Sequence, residues 1–332
     1  MKLISINTQS ALPKYKQIVF SVEVAIAENR LKRDDKLPSV NKVSLEFSIS
    51  RDTVLLAYDE LKKRGIIYAI LGKGYYVKSV EFSFEQRFFL LFDELNSFKE
   101  DIYTSFLETM NNKAQIDIFF HHFNGEMFKK LINESNGNYS KYIIMPTNLV
   151  EAASVIKTLP KQDVYILDQT NTDLHEYPAV YQNFVKDIYT ALVEAKPLLD
   201  KYLKMVLIFP GFREPLGMKI GFEKFCTDNS IPFEVITEFA HRTIENGEVY
   251  VIPDDRDLVK VIEQSKIQNL QLGADFGIIS YNETPLKKVV ENGITTISTD
   301  FKAMGTILAN MILENKKEQI ENVNRLIIRS SL

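Results

Sequence analysis

An ordered run of short motifs near the N-terminus constrains the fold of this chain more than any other feature. The motifs are Leu37-Pro38-Ser39, Ser50-Arg51-Asp52-Thr53-Val54, Gly65-Ile66-Ile67 and Gly72-Lys73-Gly74-Tyr75-Tyr76-Val77. Helical spacing around the first two and strand-like residues around the last two predict three helices followed by a hairpin. This order is typical of a helix-turn-helix with a wing.

The first two helices are predicted from apolar spacing and from a polar cap. Apolar residues recur at helical spacing between Lys14 and Arg30, so one face of a first helix can be buried. Ser39 follows a proline and precedes a second apolar-periodic run, as an N-cap does. The apolar positions of that run are Val40, Val43, Leu45 and Phe47.

The third helix is predicted to begin after Ser50 as its N-cap. Its apolar positions, three or four residues apart, are Val54, Leu55, Tyr58 and Leu61. Burying them turns the opposite face outward, toward a DNA major groove. The residues predicted on that outer face are Arg51, Asp52, Thr53 and Ala57.

A wing is predicted after the third helix. Gly65 ends the helix, residues 66–71 form a strand, and Tyr75 to Val77 form its partner. The turn between them, Gly72-Lys73-Gly74, carries a lysine that can approach a phosphate backbone or a narrow minor groove.

Over Pro13 to Val77 the chain resembles the winged-helix domain of the GntR family of bacterial transcription factors. The resemblance implies that Ser39, Arg51, Thr53, Lys73 and Gly74 lie at or near DNA. Many family members have Glu-Arg after the Pro-Ser pair, where this chain has Val40-Asn41, so one familiar arginine contact is missing. The complete set of predicted DNA-binding residues is Ser39, Asn41, Lys42, Ser50, Arg51, Asp52, Thr53, Lys73 and Gly74.

Charge is distributed unevenly along the chain. Residues 13–78 contain thirteen Lys or Arg and eight Asp or Glu, a net charge of +5, whereas the whole chain has a net charge of −4. The remainder therefore carries about −9. A basic N-terminal module on an acidic body suits contact with phosphate at one end of the molecule.

The length and composition predict a globular protein of two or three domains, with 332 residues and 45% hydrophobic content. The sequence has no apolar run of eighteen residues and no signal-peptide pattern, which predicts a cytoplasmic protein without a membrane span. The single cysteine, Cys226, is predicted to pack inside a helix. His121-His122 has no second ligand cluster at suitable spacing, so no metal site and no cofactor are predicted.

After residue 84 the sequence alternates between apolar strands and amphipathic helices, which predicts parallel sheets covered by helices on both faces. More than nine strands over about 250 residues favour two lobes. The predicted fold class is therefore α/β, with an N-terminal winged helix-turn-helix and a bilobed body built on two doubly wound parallel sheets. The predicted boundaries are 1–78 for the winged helix, 79–84 for a linker and 85–332 for the body. Lobe 1 is assigned to about 85–180 and 299–318, and lobe 2 to about 181–298 and 319–332.

The body resembles the LacI-type sugar-sensing domain, which shares its bilobed fold with type I periplasmic sugar-binding proteins. The segments that carry the resemblance are 87–98, 141–148, 249–255, 276–282 and 295–299, with Met304-Gly305 after them. A GntR winged helix joined to such a sensor is the architecture of arabinose-repressor-like regulators.

The resemblance implies an effector site in the cleft between the lobes, reached by loops at the carboxyl ends of strands. Amides and carboxylates there can bind paired hydroxyls, and an aromatic ring can cover the C–H face of a sugar. Met218 stands where the family has a cleft arginine, which Arg213 or Lys219 can replace, and Asn282 stands where it has an aspartate. The predicted effector-binding residues are Asn96, Phe98, Asn148, Arg213, Asp254, Asp255, Asn282 and Thr299.

The sequence therefore predicts a regulator, not an enzyme, that binds double-stranded operator DNA as a homodimer and acts as a repressor. Its predicted effector is a neutral pentose, deoxyhexose or hexose, with L-fucose or arabinose as first trials. Two alternatives stay open: a winged helix fused to an enzyme-like domain, and a regulator that senses a non-sugar metabolite.

Overall fold

The structure is a computed structural model that describes residues 3–7, 12–80, 86–111, 113–240 and 242–332. The N-terminal domain contains three helices and a two-stranded antiparallel hairpin. Part of the predicted linker, residues 81–84, lies outside the described residues. The elements of this domain are α1 (Lys14–Ala27), α2 (Val40–Phe47), α3 (Arg51–Lys63), β1 (Ile67–Ile70) and β2 (Gly74–Val77).

Two serine caps begin α2 and α3, and a buried tyrosine connects α3 to the turn before α2. The Ser39 hydroxyl accepts a hydrogen bond from the Lys42 N–H, and the Ser50 hydroxyl accepts one from the Thr53 N–H, as predicted. Tyr58 is fully buried in α3, and its hydroxyl donates to the Pro38 carbonyl at 2.7 Å. This bond ties the third helix to the turn before the second.

Two positions of the helix-turn-helix differ from the prediction. Ala57 is completely buried, although it was expected on the outer face of α3, and Leu45 is 81% exposed, although it was expected inside. The core contacts of α3 centre on Val54, Tyr58 and Leu61, and Ala57 lies next to Tyr58 on that side. Because Ala57 is buried as well, the inward face of α3 is wider than its large apolar residues alone indicate. Leu56 faces outward instead.

The first lobe is built on a six-stranded parallel sheet with the strand order β13-β7-β6-β5-β3-β4, in which β13 (Gln319–Glu321) comes from near the end of the chain. Helices cover both of its faces, and a separate apolar cluster lies on each face. The elements before the first crossing to the other lobe are β3 (Gln86–Phe92), α4 (Ser97–Met110), β4 (Ala114–Phe120), α5 (Gly125–Ser135), β5 (Lys141–Ile144), α6 (Ala152–Ile156), β6 (Val164–Asp168) and β7 (Ala179–Tyr181).

The second lobe repeats this plan with the strand order β14-β12-β11-β10-β8-β9, in which only the β12–β14 pair is antiparallel among the described strands. It also has an apolar cluster on each face of the sheet. The predicted α/β class with two doubly wound sheets is confirmed. The elements are α7 (Phe184–Leu199), β8 (Lys204–Ile208), α8 (Leu216–Asp228), β9 (Phe233–Ile236), β10 (Glu248–Ile252), α9 (Asp255–Ile267), β11 (Gly277–Tyr281) and β12 (Thr295–Thr299).

The chain then returns to the first lobe through α10 (Phe301–Leu313) and β13 (Gln319–Glu321), and ends in the second lobe with β14 (Asn324–Ile327). The sequence assigned everything from residue 319 to the second lobe, but β13 pairs with β7 of the first. The last crossing of the chain from the first lobe to the second therefore lies at residues 322–323. The prediction failed because β13 has a single apolar residue, Ile320, between polar neighbours.

Gly305 allows α10 to pack closely on α4. A Cβ at this position would collide with the Ser105 hydroxyl and with the Ile102 carbonyl, both on α4. We expect Gly305→Ala to lower the free energy of unfolding by about 1–3 kcal/mol, because overpacking displaces backbone as well as side chains. Urea unfolding measures this, with Gly125→Ala as a control where a Cβ meets nothing within 4 Å. Equal losses in the two variants would contradict the close-packing argument.

Candidate functional site

The outward face of the helix-turn-helix presents most of the residues predicted to bind DNA. Ser39, Asn41 and Lys42 at the start of α2, and Arg51 and Asp52 at the start of α3, are exposed. Both helix N-termini therefore carry exposed polar side chains, at the end of a helix that favours anions. Ser50 is also exposed. Thr53 is half-buried, and its hydroxyl lies 2.8 Å from the Ser50 hydroxyl.

The wing places Lys73 at the tip of the β1–β2 hairpin, where it is exposed to solvent. Gly72 and Gly74 have φ of +75° and +111°, a conformation that favours glycine and gives the tight turn. Tyr75 of the wing packs edge-on against Tyr58 of α3, with ring centroids 4.8 Å apart. The position of Lys73 is thereby coupled to the third helix.

A second candidate site is a cavity of about 340 Å³ between the two lobes. It lies at the carboxyl ends of strands from both sheets, where doubly wound folds bind small ligands. Its wall contains six carboxylates and only three basic side chains, Lys99, Arg213 and Lys287. The carboxylates belong to Asp93, Glu94, Asp168, Glu214, Asp254 and Asp255.

The wall of the first lobe is a buried polar cluster. Lys99 contacts the Asp93 carboxylate at 3.0 Å, and Gln182 donates through Nε2 to the Asp168 carboxylate. Burial raises the pKa of Asp168, with Asp93 adding to the effect and Lys99 opposing it. Burial would lower the pKa of Lys99, but the neighbouring Asp93 and Asp168 carboxylates outweigh it and raise that pKa. The lysine is therefore held charged between two carboxyl groups.

The wall of the second lobe is organised by Lys287, which is 2% exposed. Its ammonium donates to the carbonyls of Tyr281 and Asn282 at 2.8 and 2.9 Å and contacts the Asp255 carboxylate at 2.8 Å. Burial lowers the pKa of Lys287, and the Asp255 carboxylate partly offsets this. Asp254 caps α9 by accepting from the Arg256 N–H at 2.7 Å, so part of its hydrogen-bonding capacity is used locally.

Aromatic rings complete the cavity wall. Phe98 at the start of α4 and Phe301 at the start of α10 stack with ring centroids 4.9 Å apart. Phe123, Phe184 and Tyr281 lie elsewhere on the wall. The cavity thus combines flat apolar surfaces with oxygen acceptors, a combination suited to a ligand with hydroxyl groups and C–H faces.

Two buried amide oxygens on this wall have no hydrogen-bond partner among the described residues. They are Oε1 of Gln182, a residue that is 7% exposed, and Oδ1 of Asn282. A buried polar atom without a partner costs free energy, so such atoms mark places where a ligand or water donates. Because both amide oxygens accept, their missing partners are hydroxyl or N–H donors. The Tyr281 hydroxyl, a third such atom on the wall, can donate or accept.

The family comparison bears on the N-terminal domain. Residues 14–77 match the family described as bacterial regulatory proteins, gntR family. The N-terminal domain belongs to the GntR family.

Curated relatives match the GntR domain of this chain. The arabinose metabolism transcriptional repressor of Geobacillus stearothermophilus is 36% identical over 69 residues, which are 21% of this chain and 19% of that protein. The chain thus matches about a fifth of that relative's length. These matches place residues 14–77 among the DNA-binding domains of transcriptional regulators.

Solved structures match the body as well. The lac repressor bound to ONPG has a TM-score of 0.61 at 14% identity, covering 85% of this chain and 90% of that one. A LacI-type regulator of Alkaliphilus metalliredigens, solved with D-xylulofuranose, has a TM-score of 0.59 at 14% identity, covering 74% and 99%. At this identity the likeness establishes the LacI-type, periplasmic-binding-protein-like fold behind the GntR domain.

Further predictions concern metals, membranes and the cysteine. The described residues contain no cluster of three His, Cys, Asp or Glu able to hold a metal ion. In the same part of the chain, every helix is too short or too polar to span a bilayer. Cys226 is buried in α8, and burial raises the pKa of its thiol to about 12, which fits the predicted packing role.

The structure brings six of the eight predicted effector residues to the cavity: Asn96, Phe98, Arg213, Asp254, Asp255 and Asn282. Two lie elsewhere. Asn148 is exposed at the rim and donates to the Glu214 carbonyl at 3.4 Å. Thr299 is buried at the lobe crossing, where its hydroxyl donates to the Val323 carbonyl and accepts from Asn322. Lys219, the alternative to Arg213, pairs with Glu223 on its own helix and does not line the cavity.

Several cavity residues were missed from the sequence. Asp168 and Gln182 are the first polar residues at the carboxyl ends of buried strands, so strand ends were an available signal for them. Lys99 and Lys287 gave no such signal, because lysines in a helix and in a loop usually face solvent. Their burial follows from carboxylates and carbonyls brought close by the fold.

Asp187, in the first turn of α7 beside the lobe crossing, is 5% exposed. Burial and the Glu321 carboxylate of β13 raise the pKa of Asp187 to about 7, and Lys186 opposes this rise. Tyr281 of β11 also lies near Asp187.

Because the folded-state pKa of Asp187 exceeds the usual 3.8, the protonated acid favours folding, and this stability is lost as the pH rises from about 4 to about 7. We expect Asp187→Asn to be more stable than the parent by of order 2 kcal/mol above pH 7 and equal to it near pH 4. Urea unfolding across this range measures the difference, and a constant difference would contradict the assignment.

Proposed function

We propose that this protein is a transcriptional regulator in which a small neutral sugar, bound between the lobes, controls operator binding by the GntR domain. The observation that carries the proposal is the interlobe cavity, rich in carboxylates and aromatic rings, on a chain whose N-terminal domain belongs to a DNA-binding family. We propose that it acts as a repressor. Its place of action would be the cytoplasm, where operator DNA is.

The charge of the cavity supports a neutral polyhydroxylated effector. The wall carries six carboxylates against three cations, and each cation already contacts a carboxylate in the wall. A phosphorylated sugar would need several free Arg or Lys side chains to bind its phosphate. Carboxylates and amide oxygens instead accept hydrogen bonds from hydroxyl groups.

The names of related proteins point to the same class of effector. The Alkaliphilus structure contains D-xylulofuranose, and the Geobacillus relative is named for arabinose metabolism. Pentoses, deoxyhexoses and hexoses are therefore the first ligands to try, with arabinose and L-fucose at the head of the panel. A non-sugar metabolite stays the alternative that the same screen addresses.

The proposed DNA partner is a symmetric operator bound by a homodimer. One winged helix covers too little DNA for tight specific binding, and two related by a twofold axis read half-sites about one helical turn apart. The body would then set the spacing of the two GntR domains, and effector binding would change that spacing.

Thermal unfolding with a panel of monosaccharides tests the effector. A ligand that binds only the folded protein raises stability by RT ln(1 + [L]/Kd), about 2.7 kcal/mol at 100 Kd. We expect one neutral sugar to raise Tm and a sugar phosphate, as control, to leave it unchanged. The stabilising sugar must also change the fluorescence anisotropy of DNA taken from upstream of the chain's own gene. Stabilisation by sugar phosphates alone would overturn the proposed effector class.

A further inference from the structure

We propose that Arg213, Glu94 and Phe123 form a latch across the mouth of the cleft that favours the closed arrangement of the lobes before any effector binds. These three residues are called the cleft latch. The inference deepens the proposed function, since it concerns regulation of the same cavity, but it is tested on the protein without ligand.

The latch joins the two lobes through one side chain. Arg213 lies on the loop between β8 and α8 of the second lobe, and its Nη1 atom is 3.1 Å from an oxygen of Glu94 in the first. Its guanidinium also lies over the ring of Phe123, 5.3 Å from the centroid, on the loop after β4. A cation held by a carboxylate and by an aromatic face is restrained from two directions.

The loop that carries Arg213 is shaped to hold it there. Gly211 has φ of +79°, which a side chain would strain. The Glu214 carboxylate accepts from the N–H groups of Gly211 and Arg213, at 3.0 and 3.3 Å, and so closes the turn on itself. The backbone that carries Arg213 is therefore already ordered when the guanidinium contacts Glu94 and Phe123.

The latch closes the mouth without filling the cavity. With both contacts of Arg213 in place, the cavity still has a volume of about 340 Å³. The latched arrangement can thus hold a small ligand, so the latch and the ligand stabilise the same closed state. Any group that stabilises one of two states shifts the population toward it, and a ligand selective for that state then binds with higher apparent affinity.

The strength of the latch suits a reversible switch. The Arg213 and Glu94 side chains are 57% and 31% exposed, so water and salt weaken their attraction. Adding the cation–π contact, we expect the latch to change the ratio of closed to open molecules by about 3- to 10-fold. A much stronger latch would keep the lobes closed whether or not an effector was present.

Interlobe distances measured by pulsed electron paramagnetic resonance test the latch without any ligand. Spin labels go on Val150→Cys in the first lobe and Val289→Cys in the second, since these side chains are 100% and 71% exposed. Cys226 is buried and stays unlabelled. The variants compared are Arg213→Gln, Glu94→Gln, both together, and the charge reversal Arg213→Glu with Glu94→Arg. Lys219→Gln, which removes a lysine that pairs with Glu223 on its own helix, is the control.

We expect Arg213→Gln to shift the closed-to-open ratio by about 3- to 10-fold toward longer distances. Glu94→Gln should shift it less, because Arg213 keeps its contact with Phe123, and the pair should shift it no further than Arg213→Gln alone. The charge reversal is expected to restore part of the closed population, and Lys219→Gln to leave it unchanged. Salt at 1 M should open the parent but not Arg213→Gln. The latch is overturned if Arg213→Gln has the parent's distance distribution at both salt concentrations. A failed sugar screen would leave these distances meaningful, so the two proposals can fail separately.

Discussion

Arg51→Ala is expected to weaken operator binding by about 1–3 kcal/mol at each half-site, because a lost bidentate contact to a base costs that much. A homodimer carries the change twice, so the loss on a symmetric operator amounts to about 30-fold to 10⁴-fold. Arg51 is exposed at the first position of α3, beyond the Ser50 cap, where a recognition helix meets base edges. Fluorescence anisotropy on the operator measures the effect.

Two further lysine variants separate base reading from phosphate contact. Lys73→Ala in the wing is expected to weaken specific and non-specific DNA alike and to reduce the salt slope by about one per phosphate contact. Lys63→Ala, at the opposite end of α3, is the matched control and should change affinity little. If Arg51→Ala binds the operator with the parent's affinity, Arg51 does not contact a base and the proposed orientation of α3 on DNA is wrong. A loss at Lys73 confined to one base position would mean that the wing reads sequence.

The fold was largely predictable because its signals are physical and local. Buried parallel strands require continuous apolar runs, and β5, β6, β8 and β10 each begin and end within a residue or two of such runs. The strands β7 and β13, in contrast, have only three residues each. Runs this short carry no periodicity, and they become strands through pairing at a sheet edge.

The cavity was only partly predictable, for a different reason. Strand ends identify which loops meet at a sheet edge, and this is why Asn96, Asp254 and Asn282 reach the cavity. Strand ends do not predict the direction in which each side chain points. Thr299 ends β12 as expected, yet its hydroxyl turns to the lobe crossing and bonds to Asn322. Side-chain direction there depends on β13 and β14, which the sequence did not reveal.

Asp168→Asn is expected to lower affinity for the stabilising sugar by about 10- to 100-fold, since hydrogen bonds to a charged group contribute about 1.5–3 kcal/mol. The change suits the site because Asp168 has φ of +71°, a conformation that asparagine also tolerates. The amide keeps the shape of the carboxyl and removes its charge. Operator binding without sugar is expected to stay at the parental level, because the cavity lies in the body and not in the GntR domain.

The second lobe must contribute to the same response if the effector acts by closing the cleft. Asn282→Gly removes an unpartnered acceptor without straining its backbone, where φ is +62°. We expect it to weaken sugar binding by about 3- to 10-fold and, together with Asp168→Asn, to abolish release of DNA at the parental sugar concentration. Asn310→Ala, on the exposed face of α10, is the matched asparagine control. The test titrates sugar into a preformed complex of each variant with operator DNA. Release at the parental concentration by the double variant would place the effector outside the cleft, because a ligand shifts the two states only through contacts that differ between them.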